Sequence, residues 1–310
     1  MKLILDQVLA ETELIRVMSF RSASGSALPN YTAGAHIEFD LGSAGKRSYS
    51  LIDWPNSSEL YTVAVQYEKS GEGGSRAMHE LREGQSIETT LPKNDFELID
   101  GLEPILLLAG GIGITPLKSM ATKLHQQARE FQLHYTAREA SRMGFTDALT
   151  ETFNSTVSFH LDDKNPLDLT QLMRAQASNT RVYLCGPRGM IDAARSAAID
   201  AGISTDAIHI ELFSTPETKN DDSAFEVEIS DTGQVITVAA DQTIIEALES
   251  AGLDVMYDCQ RGDCGICQCT VVSGIPDHRD VVLSDDERAS GKLMQICVSR
   301  AKSARLVIEI

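Results

Sequence analysis

The 310-residue sequence has few basic side chains, few cysteines and no long apolar run. Its 27 lysines and arginines stand against 45 aspartates and glutamates, and the resulting formal charge of −18 repels nucleic acid and anionic membranes. Six cysteines are too few for the disulfide framework of a small secreted domain. The longest apolar stretch, residues 104–117, is interrupted by glycines and prolines and is too short to span a bilayer. These low counts, and the lack of a long apolar run, exclude three classes of protein: those that bind nucleic acid, those held together by disulfides and those that span a membrane.

The beginning of the sequence does not match a secretory signal, because its one short apolar run is broken by Asp6, Gln7 and Glu11. With reduced thiols further along, this predicts a cytoplasmic protein. An apolar fraction of 42% and a length of 310 residues predict two or three domains. Residues 226–310 carry 15 acidic and 7 basic side chains, a net charge of −8. Such a face either steers a basic partner or simply keeps the protein soluble.

Four of the cysteines have the spacing of plant-type [2Fe–2S] proteins. Cys259, Cys264 and Cys267 follow the pattern C-x4-C-x2-C, and Cys297 comes after 29 intervening residues. The pattern places three thiolates on one loop and takes the fourth from a distant segment. A structural zinc site more commonly uses paired C-x2-C knuckles or added histidines. The spacing therefore predicts a one-electron cluster, with Cys269 packing beside it and not binding iron.

Three segments of the chain differ in their residue pattern. Residues 1–98 contain short strands with Gly, Pro and Asn turn signals, which predict a small antiparallel β-barrel. Residues 99–214 open with the apolar run 104–109 and continue with helical periodicity, as is typical of an α/β nucleotide-binding domain. The polar stretch 215–224 predicts a linker. Residues 225–310 combine a hairpin pattern, a short helix and the cysteine loop.

Two glycine motifs follow predicted strands of the α/β segment. Gly110 and Gly111 begin the sequence GGIGITP, and Cys185, Gly186 and Pro187 follow a later strand. In an open α/β sheet, ligands bind beyond the carboxyl ends of the strands, and the N–H groups at a helix start bind phosphate. Cys185 is either a buried small hydrophobe or a thiol beside a nicotinamide, and the residues alone leave both interpretations open.

Two further motifs lie in the barrel segment. Arg47 and Tyr49 of the sequence RSYS share one face of a predicted strand. A guanidinium beside an aromatic ring suits a phosphate and a planar ring system. The sequence GEGGS at residues 71–75 supplies N–H groups and a hydroxyl, as in a phosphate-binding turn. Taken alone, these motifs are equally well explained by an ordinary strand and an ordinary turn.

The order of the motifs resembles the FMN-type reductase components of Rieske oxygenase systems, the family of phthalate dioxygenase reductase and vanillate demethylase reductase. RSYS, GEGGS, GGIGITP, YLCGP, ELF and the four-cysteine pattern occur in the family's order, and the likeness covers the whole chain. The resemblance implies a flavin-binding β-barrel, a ferredoxin-reductase-type α/β NAD domain and a C-terminal plant-type ferredoxin domain of β-grasp fold. It implies electron transfer from NADH through FMN and the [2Fe–2S] cluster to a separate Rieske oxygenase. No Cys-x-His pair occurs, so the chain is not expected to be the oxygenase itself.

The resemblance also implies roles for single residues. Thr115, Cys185 and Phe213 are expected at the site of hydride transfer, with Thr115 and Phe213 against the flavin. Arg138 is expected near the ribose or phosphate of the nucleotide. Arg138 or Arg142 could meet a 2′-phosphate, so the choice between NADH and NADPH stays open. The family's remaining cofactor residues correspond to Arg47, Ser48, Tyr49, Ser50, Val65, Gly73, Gly74 and Ser75 for the flavin, and to Gly110, Gly111, Cys185, Gly186, Pro187 and Met190 for the nucleotide.

FMN is expected instead of FAD, because in the resembling family the GEGGS turn ends the ligand at one phosphate. The flavin is needed because a hydride carries two electrons and a plant-type cluster accepts one. Two alternatives stay open beside the oxygenase reductase. One is a reductase of the same chemistry that serves another acceptor, such as a free ferredoxin. The other is a cluster-bearing sensor that binds nucleotides without turnover.

Overall fold

The computed structural model describes residues 1–54, 58–215 and 221–310. They form two compact units, Met1–Glu211 and Leu212–Ile310. Of the predicted linker 215–224, residues 216–220 lie outside the described residues. In the described part of the chain, no helix combines the length and the apolar character needed to cross a membrane.

The first part of the first unit is a closed antiparallel β-barrel, as predicted. Strands β5, β2, β1 and β6 form one sheet in that order, and β3 pairs with β4. Bridges from Phe39 to Thr89 and from Leu51 to Val63 join the two sheets at both edges. Helix α1 (Gly74–Glu80) follows β5 in the chain. The strands are β1 (Lys2–Ala10), β2 (Ile15–Ser22), β3 (His36–Asp40), β4 (Lys46–Ser50), β5 (Leu60–Gln66) and β6 (Ser86–Glu88).

A five-stranded parallel sheet follows, in the order β11-β10-β7-β8-β9. Every residue of β7 is buried, as expected of a central strand with helices on both faces. The chain moves outward from β7 to β8 and β9, and then returns to β10 on the other side, so the strand order reverses between β7 and β10. The strands are β7 (Ile105–Gly110), β8 (Phe131–Ala137), β9 (Val157–Leu161), β10 (Arg181–Cys185) and β11 (Ile208–Glu211).

The helices of this part begin and end where the sequence signals indicate. Helix α2 (Ile114–Gln126) has Pro116 in its first turn and buries the predicted apolar face, including Leu117 and Met120. Helix α5 (Arg188–Asp200) ends just before Gly202, whose φ of +87° favours glycine. The other helices are α3 (Thr146–Phe153) and α4 (Leu169–Arg174). The 3₁₀ turns of this part are Gly111–Gly113, Ala140–Arg142, Asn154–Thr156 and Thr205–Ala207, and a further one in the barrel is Gly42–Ala44.

The second unit is a mixed sheet in the order β13-β12-β18-β14-β16. Strand β12 runs parallel to β18, and the other pairs are antiparallel. Helices α6 (Ile244–Ser250) and α7 (Asp285–Ser290) each begin with a capping box, which satisfies the first N–H groups of the helix. The strands are β12 (Phe225–Ile229), β13 (Val235–Val238), β14 (Gln268–Ser273), β15 (Pro276–Asp277), β16 (Leu293–Gln295), β17 (Arg300–Ala301) and β18 (Arg305–Glu309).

A buried ion cluster holds the beginning of the second unit. Both oxygens of Asp222 accept hydrogen bonds from the Arg279 guanidinium, one of them at 2.8 Å. Arg279 also pairs with Asp277, with 2.8 Å between Nη2 and Oδ2. Arg300 lies 3.8 Å from Asp222 and covers the Phe225 ring at 5.1 Å. The chain is therefore packed into the second unit from Asp222 onward, two residues before the predicted end of the linker.

Candidate functional site

The two glycine motifs of the α/β part meet at the point where the strand order reverses. β7 ends in Gly110 and β10 ends in Cys185, and these strands are neighbours. A Cβ on Gly110 would lie 2.6 Å from Pro187 Cδ, and one on Gly186 would lie 2.8 Å from Gly110 Cα. A Cβ on Gly113 would lie 2.2 Å from the Cys185 carbonyl oxygen. Only glycine at these positions allows the ends of β7 and β10 to pack so closely. The crevice at these strand ends lies where α/β sheets bind nucleotides.

The predicted nucleotide residues Gly110, Gly186, Pro187 and Met190 are brought together by this packing. Gly111 begins the 3₁₀ turn with a φ of +54°, in the left-handed region that favours glycine. Pro187 caps the start of α5, whose first turn contains Met190. The arrangement gives two helix starts, those of α2 and α5, at one edge of the sheet, and helix starts attract phosphate groups.

Two of the residues expected at the hydride-transfer site are buried. Cys185 belongs to the core cluster that packs α2 against the sheet. Thr115 is also buried, and its hydroxyl donates a hydrogen bond to the Ile112 carbonyl at 2.9 Å. Both side chains are therefore packed in the interior, Cys185 at the end of β10 and Thr115 in the first turn of α2.

We expect Gly113→Ala to destabilise the first unit by about 1–3 kcal/mol, because the added methyl group collides with the backbone of Cys185 and Gly186. Gly189→Ala is the matched control, since its Cβ position in α5 faces open space. Alanine in that helix should leave stability unchanged or raise it by up to about 1 kcal/mol. Urea unfolding of both variants measures the difference, and equal stabilities would contradict the packing argument.

The flavin motifs of the barrel also come together. Arg47 and Tyr49 share a face of β4, as predicted, and Tyr49 packs on the Phe39 ring at 5.8 Å. The Arg47 side chain crosses the start of α1, where a Cβ on Gly74 would lie 2.6 Å from Arg47 Cγ. Gly73 caps that helix with a φ of +95° and without a side-chain cap among the described residues. A guanidinium and an uncapped helix start thus lie side by side.

The hydrogen-bond donors around β4 and the start of α1 fit the phosphate and the polar ring system of a flavin. Arg47 Nη2 lies 2.7 Å from an oxygen of Glu72, a side chain that is 86% exposed and can be displaced by a bound phosphate. The Ser50 hydroxyl is buried and has no hydrogen-bond partner among the described residues. Burial raises the pKa of Tyr49 to about 12, so its phenol stays protonated and can donate. Ser48 is half-buried in the same strand, and Ser75 Oγ accepts the Glu68 N–H at 3.0 Å.

The predicted flavin residue Val65 lies in the neighbouring strand β5. The Val65 side chain packs in the barrel core, and its carbonyl lies 2.9 Å from His79 Nε2. Ala64 instead belongs to the cluster shared with α2, and strand β5 packs against the Gly111–Gly113 turn. Gln66, two residues further on the same face as Ala64, has a buried Oε1 without a described partner. Val65 and Ala64 thus lie on opposite faces of the strand, and the place of Val65 along the flavin stays a prediction.

Two further predicted residues, Arg138 and Phe213, are exposed. Arg138 follows β8 and is exposed, two residues beyond the pairing of Thr136 with Gly110. Phe213 belongs to the second unit and is 41% exposed. Just before it, the Leu212 N–H donates to Asp263 Oδ2 at 2.8 Å, which ties the start of this unit to the cysteine loop.

The four cysteines of the predicted cluster converge in the second unit. Hydrogen bonds from the thiols of Cys264 and Cys297 lower the pKa of Cys259. A hydrogen bond from Cys297 likewise lowers the pKa of Cys267. Backbone N–H groups also point at sulfur, with the Arg261 N–H donating to Cys259 Sγ at 3.3 Å. Such N–H donors stabilise thiolates, so the loop fits a thiolate-bound cluster.

The backbone of the cysteine loop depends on glycine. Gly262 and Gly265 have φ values of +84° and +80°. A Cβ on Gly262 would also lie 2.6 Å from Val298 Cγ2. Cys269 faces the core of the unit, as predicted, and burial raises its pKa to about 12. No three His, Cys, Asp or Glu side chains of the described residues surround a single-ion position; a two-iron cluster takes two ligands at each iron.

Several polar residues that support the cysteine loop were not predicted from the sequence. Asp280 is buried and accepts the N–H groups of Val282 and Leu283, at 3.1 and 2.9 Å, as well as an Arg288 N–H. Its neighbour Val281 donates to the Gly262 carbonyl at 2.9 Å, so this segment braces the cysteine loop. Burial raises the pKa of Asp263, within the loop, to about 7. In the sequence these residues look like ordinary surface charges.

Comparison with known proteins agrees with this arrangement. Residues 227–302 match the family model of the 2Fe-2S iron-sulfur cluster binding domain. Residues 107–196 match that of the oxidoreductase NAD-binding domain. A vanillate O-demethylase oxidoreductase from Pseudomonas sp. strain HR199 is 40% identical, over 94% of this chain and 94% of that protein.

Two solved structures extend the comparison. Phthalate dioxygenase reductase, described as a modular structure for electron transfer from pyridine nucleotides to [2Fe–2S], is 32% identical with a TM-score of 0.73. The match covers 100% of this chain and 98% of that one. An intact type IV self-sufficient cytochrome P450 monooxygenase is 34% identical with a TM-score of 0.78. There the chain spans only 41% of the other chain's length.

Proposed function

Because the chain belongs to the family of oxygenase reductases that includes vanillate O-demethylase oxidoreductase and phthalate dioxygenase reductase, we propose that it is the reductase component of a Rieske-type oxygenase system. In this function it takes electrons from NADH and passes them through FMN and a [2Fe–2S] cluster to the oxygenase. The observation that carries the proposal is the presence, in one chain, of a nucleotide crevice at a strand-order reversal and a loop of four converging cysteines. The choice between NADH and NADPH is tested by comparing the rates at which the two nucleotides reduce the flavin.

Three functional segments are part of the proposal. Residues 1–98 form the FMN domain, residues 99–214 the NAD domain and residues 225–310 the ferredoxin domain. A bound flavin would accept a hydride and release single electrons, which a [2Fe–2S] cluster can carry one at a time. The protein's own contribution is binding and orientation, because no side chain near the crevice is needed as an acid, a base or a nucleophile.

The residues would divide this work as follows. Arg47 and the start of α1 hold the FMN phosphate, and the Ser50 hydroxyl hydrogen-bonds the ring system. Gly110, Gly186 and Pro187 form the floor on which the nicotinamide nucleotide lies. Thiolates of the four cysteines that converge in the second unit bind the two irons. Because reduced nicotinamide nucleotides and free thiols are typical of the cytoplasm, we also propose a cytoplasmic location.

We expect Cys185→Ala to slow the reduction of the flavin by NADH roughly tenfold, because a cavity beneath the crevice floor lets the nicotinamide shift from its reactive position. Stopped-flow absorbance in a single turnover measures this step. Reduction of the cluster by dithionite is the internal control and should be unchanged. A normal rate of flavin reduction would leave Cys185 with a packing role only.

The identity of the electron acceptor is tested by comparing three purified proteins. The NADH-reduced protein is mixed in turn with a purified Rieske oxygenase, a free plant-type ferredoxin and a cytochrome P450, and the rate of acceptor reduction is recorded. Faster reduction of the Rieske oxygenase supports the proposal. Faster reduction of the ferredoxin would favour the alternative acceptor, and the likeness to a P450 monooxygenase chain makes the third protein a necessary comparison.

A further inference from the structure

Gln295 is a buried amide beside one of the cluster cysteines. It ends β16, is 0% exposed, and lies between the buried residues Met294 and Ile296. An amide in such a position costs free energy unless its polar atoms are hydrogen-bonded. Its Oε1 accepts the Cys267 thiol at 3.5 Å, and its Nε2 donates to Gln268 Oε1 at 3.1 Å. A leucine or methionine would suit the packing at this position. Packing alone therefore does not explain the amide, and we expect it to have a polar role.

We propose that Gln295 is a positioning residue that donates an N–H hydrogen bond to the Cys267 sulfur when the cluster is bound, and thereby raises the reduction potential of the cluster. The inference rests on the proposed role of Cys267 as an iron ligand. An iron-bound thiolate has no proton to donate, so Oε1 and the sulfur would be two acceptors facing each other. A half-turn of the terminal amide exchanges Oε1 and Nε2 and turns the donor toward the sulfur.

The partner of Gln295 allows this turn. Gln268 lies opposite Gln295 in the β14–β16 pair, and it is exposed. Its amide is therefore free to turn in solvent and to donate to Gln295 Oε1 after the exchange. The Gln295 backbone stays fixed, because its carbonyl accepts the Ser299 N–H at 3.0 Å. In the loaded protein both amides then have all their buried atoms satisfied.

The hydrogen bond has a redox consequence. Reduction adds one negative charge to the cluster, and a hydrogen bond to a charged acceptor is stronger than one to a less charged acceptor. A donor at sulfur therefore stabilises the reduced state more than the oxidised state, and such bonds are one of the factors that set cluster potentials. Gln295 adds a side-chain donor to the backbone donors of the loop.

The test compares Gln295→Leu with the control Gln268→Leu, which keeps the Gln295 amide in place. The full-length proteins are titrated with dithionite, and the reduced cluster is followed by electron paramagnetic resonance. At a fixed potential we expect Gln295→Leu to lower the ratio of reduced to oxidised cluster about tenfold, or about 59 mV for a one-electron couple. The control should shift much less. A cluster-containing Gln295→Leu protein with the wild-type potential would overturn the proposal.

A second measurement needs no variant. The wild-type protein is prepared with nitrogen-15 in the glutamine side-chain amides, and the reduced cluster is examined by pulsed electron paramagnetic resonance. A resolved coupling to an amide nitrogen is expected, and its absence would also overturn the proposal. Dithionite acts without NADH or flavin, so a wild-type protein without any cluster signal would contradict the proposed function, whereas a normal signal without the coupling would contradict only the role of Gln295.

Discussion

Replacement of Cys264 by alanine is expected to abolish NADH-driven reduction of cytochrome c and to leave NADH–ferricyanide activity intact. Cys264 is one of the two half-exposed cysteines of the loop, and its thiol hydrogen-bonds to Cys259. Without it, one iron lacks a protein ligand and the cluster is lost. Ferricyanide takes electrons from the flavin, upstream of the cluster, so that reaction continues. Both rates are measured by absorbance, with iron and acid-labile sulfide contents determined on the same sample.

Cys269→Ala is the matched control for this experiment. Cys269 is only two residues past Cys267 and packs in the same apolar core, but it lies within strand β14, whereas Cys267 precedes that strand and hydrogen-bonds with Cys297. The control should keep its iron, its sulfide and both activities, although the smaller side chain leaves a small cavity. Loss of both activities in Cys264→Ala would contradict the proposed order of electron transfer. Loss of iron from Cys269→Ala alone would mean that the ligand set is different.

Replacement of Arg47 by glutamine is expected to weaken FMN binding roughly ten- to hundredfold. Hydrogen bonds to charged groups contribute about 1.5–3 kcal/mol each, and the Arg47 guanidinium is a charged donor beside the start of α1. The dissociation constant is measured by fluorescence titration of the flavin-free protein. Chromatography of the flavin released on heating tells FMN from FAD.

Lys46→Gln is the control for the flavin experiment. Lys46 precedes Arg47 in the same strand, but its side chain is 65% exposed and pairs with Glu38 at 3.4 Å across the β3–β4 hairpin. Surface pairs of this kind contribute about 0–1 kcal/mol, so FMN affinity should not change. If both variants weakened binding equally, the effect would be one of overall charge and Arg47 would have no specific role.

Patterns with a strong local cause were predictable from the sequence. The run PILLLA predicts a buried strand because every residue is apolar, and β7 is buried throughout. Helix α5 lies where the apolar spacing and Gly202 indicate. The meeting of GGIG with CGP required the strand order, because the two motifs are separated by more than seventy residues and become neighbours only through the return from β9 to β10.

Other features lacked a local signal. Val65 and Ala64 are both small and apolar, so the sequence could not tell which of them faces α2. The residues GEGGS indicate a turn, yet Gly74 begins helix α1, and its lack of a side chain leaves room for Arg47 across the first turn. Asp280 and Gln295 are polar residues whose burial depends on long-range packing around the cysteine loop. Their contribution to the cysteine loop can therefore be recognised only in the folded structure.

The anchoring of Asp222 has a practical meaning for protein engineers who wish to graft the iron–sulfur module onto another reductase. A fusion joined at Phe225, where the first strand of the module begins, would discard the carboxylate that lies between two buried arginines. The transplanted piece would then carry surplus positive charge in its interior, at a cost of several kcal/mol. A junction before Asp222 keeps that charge balanced and makes the chimera more robust.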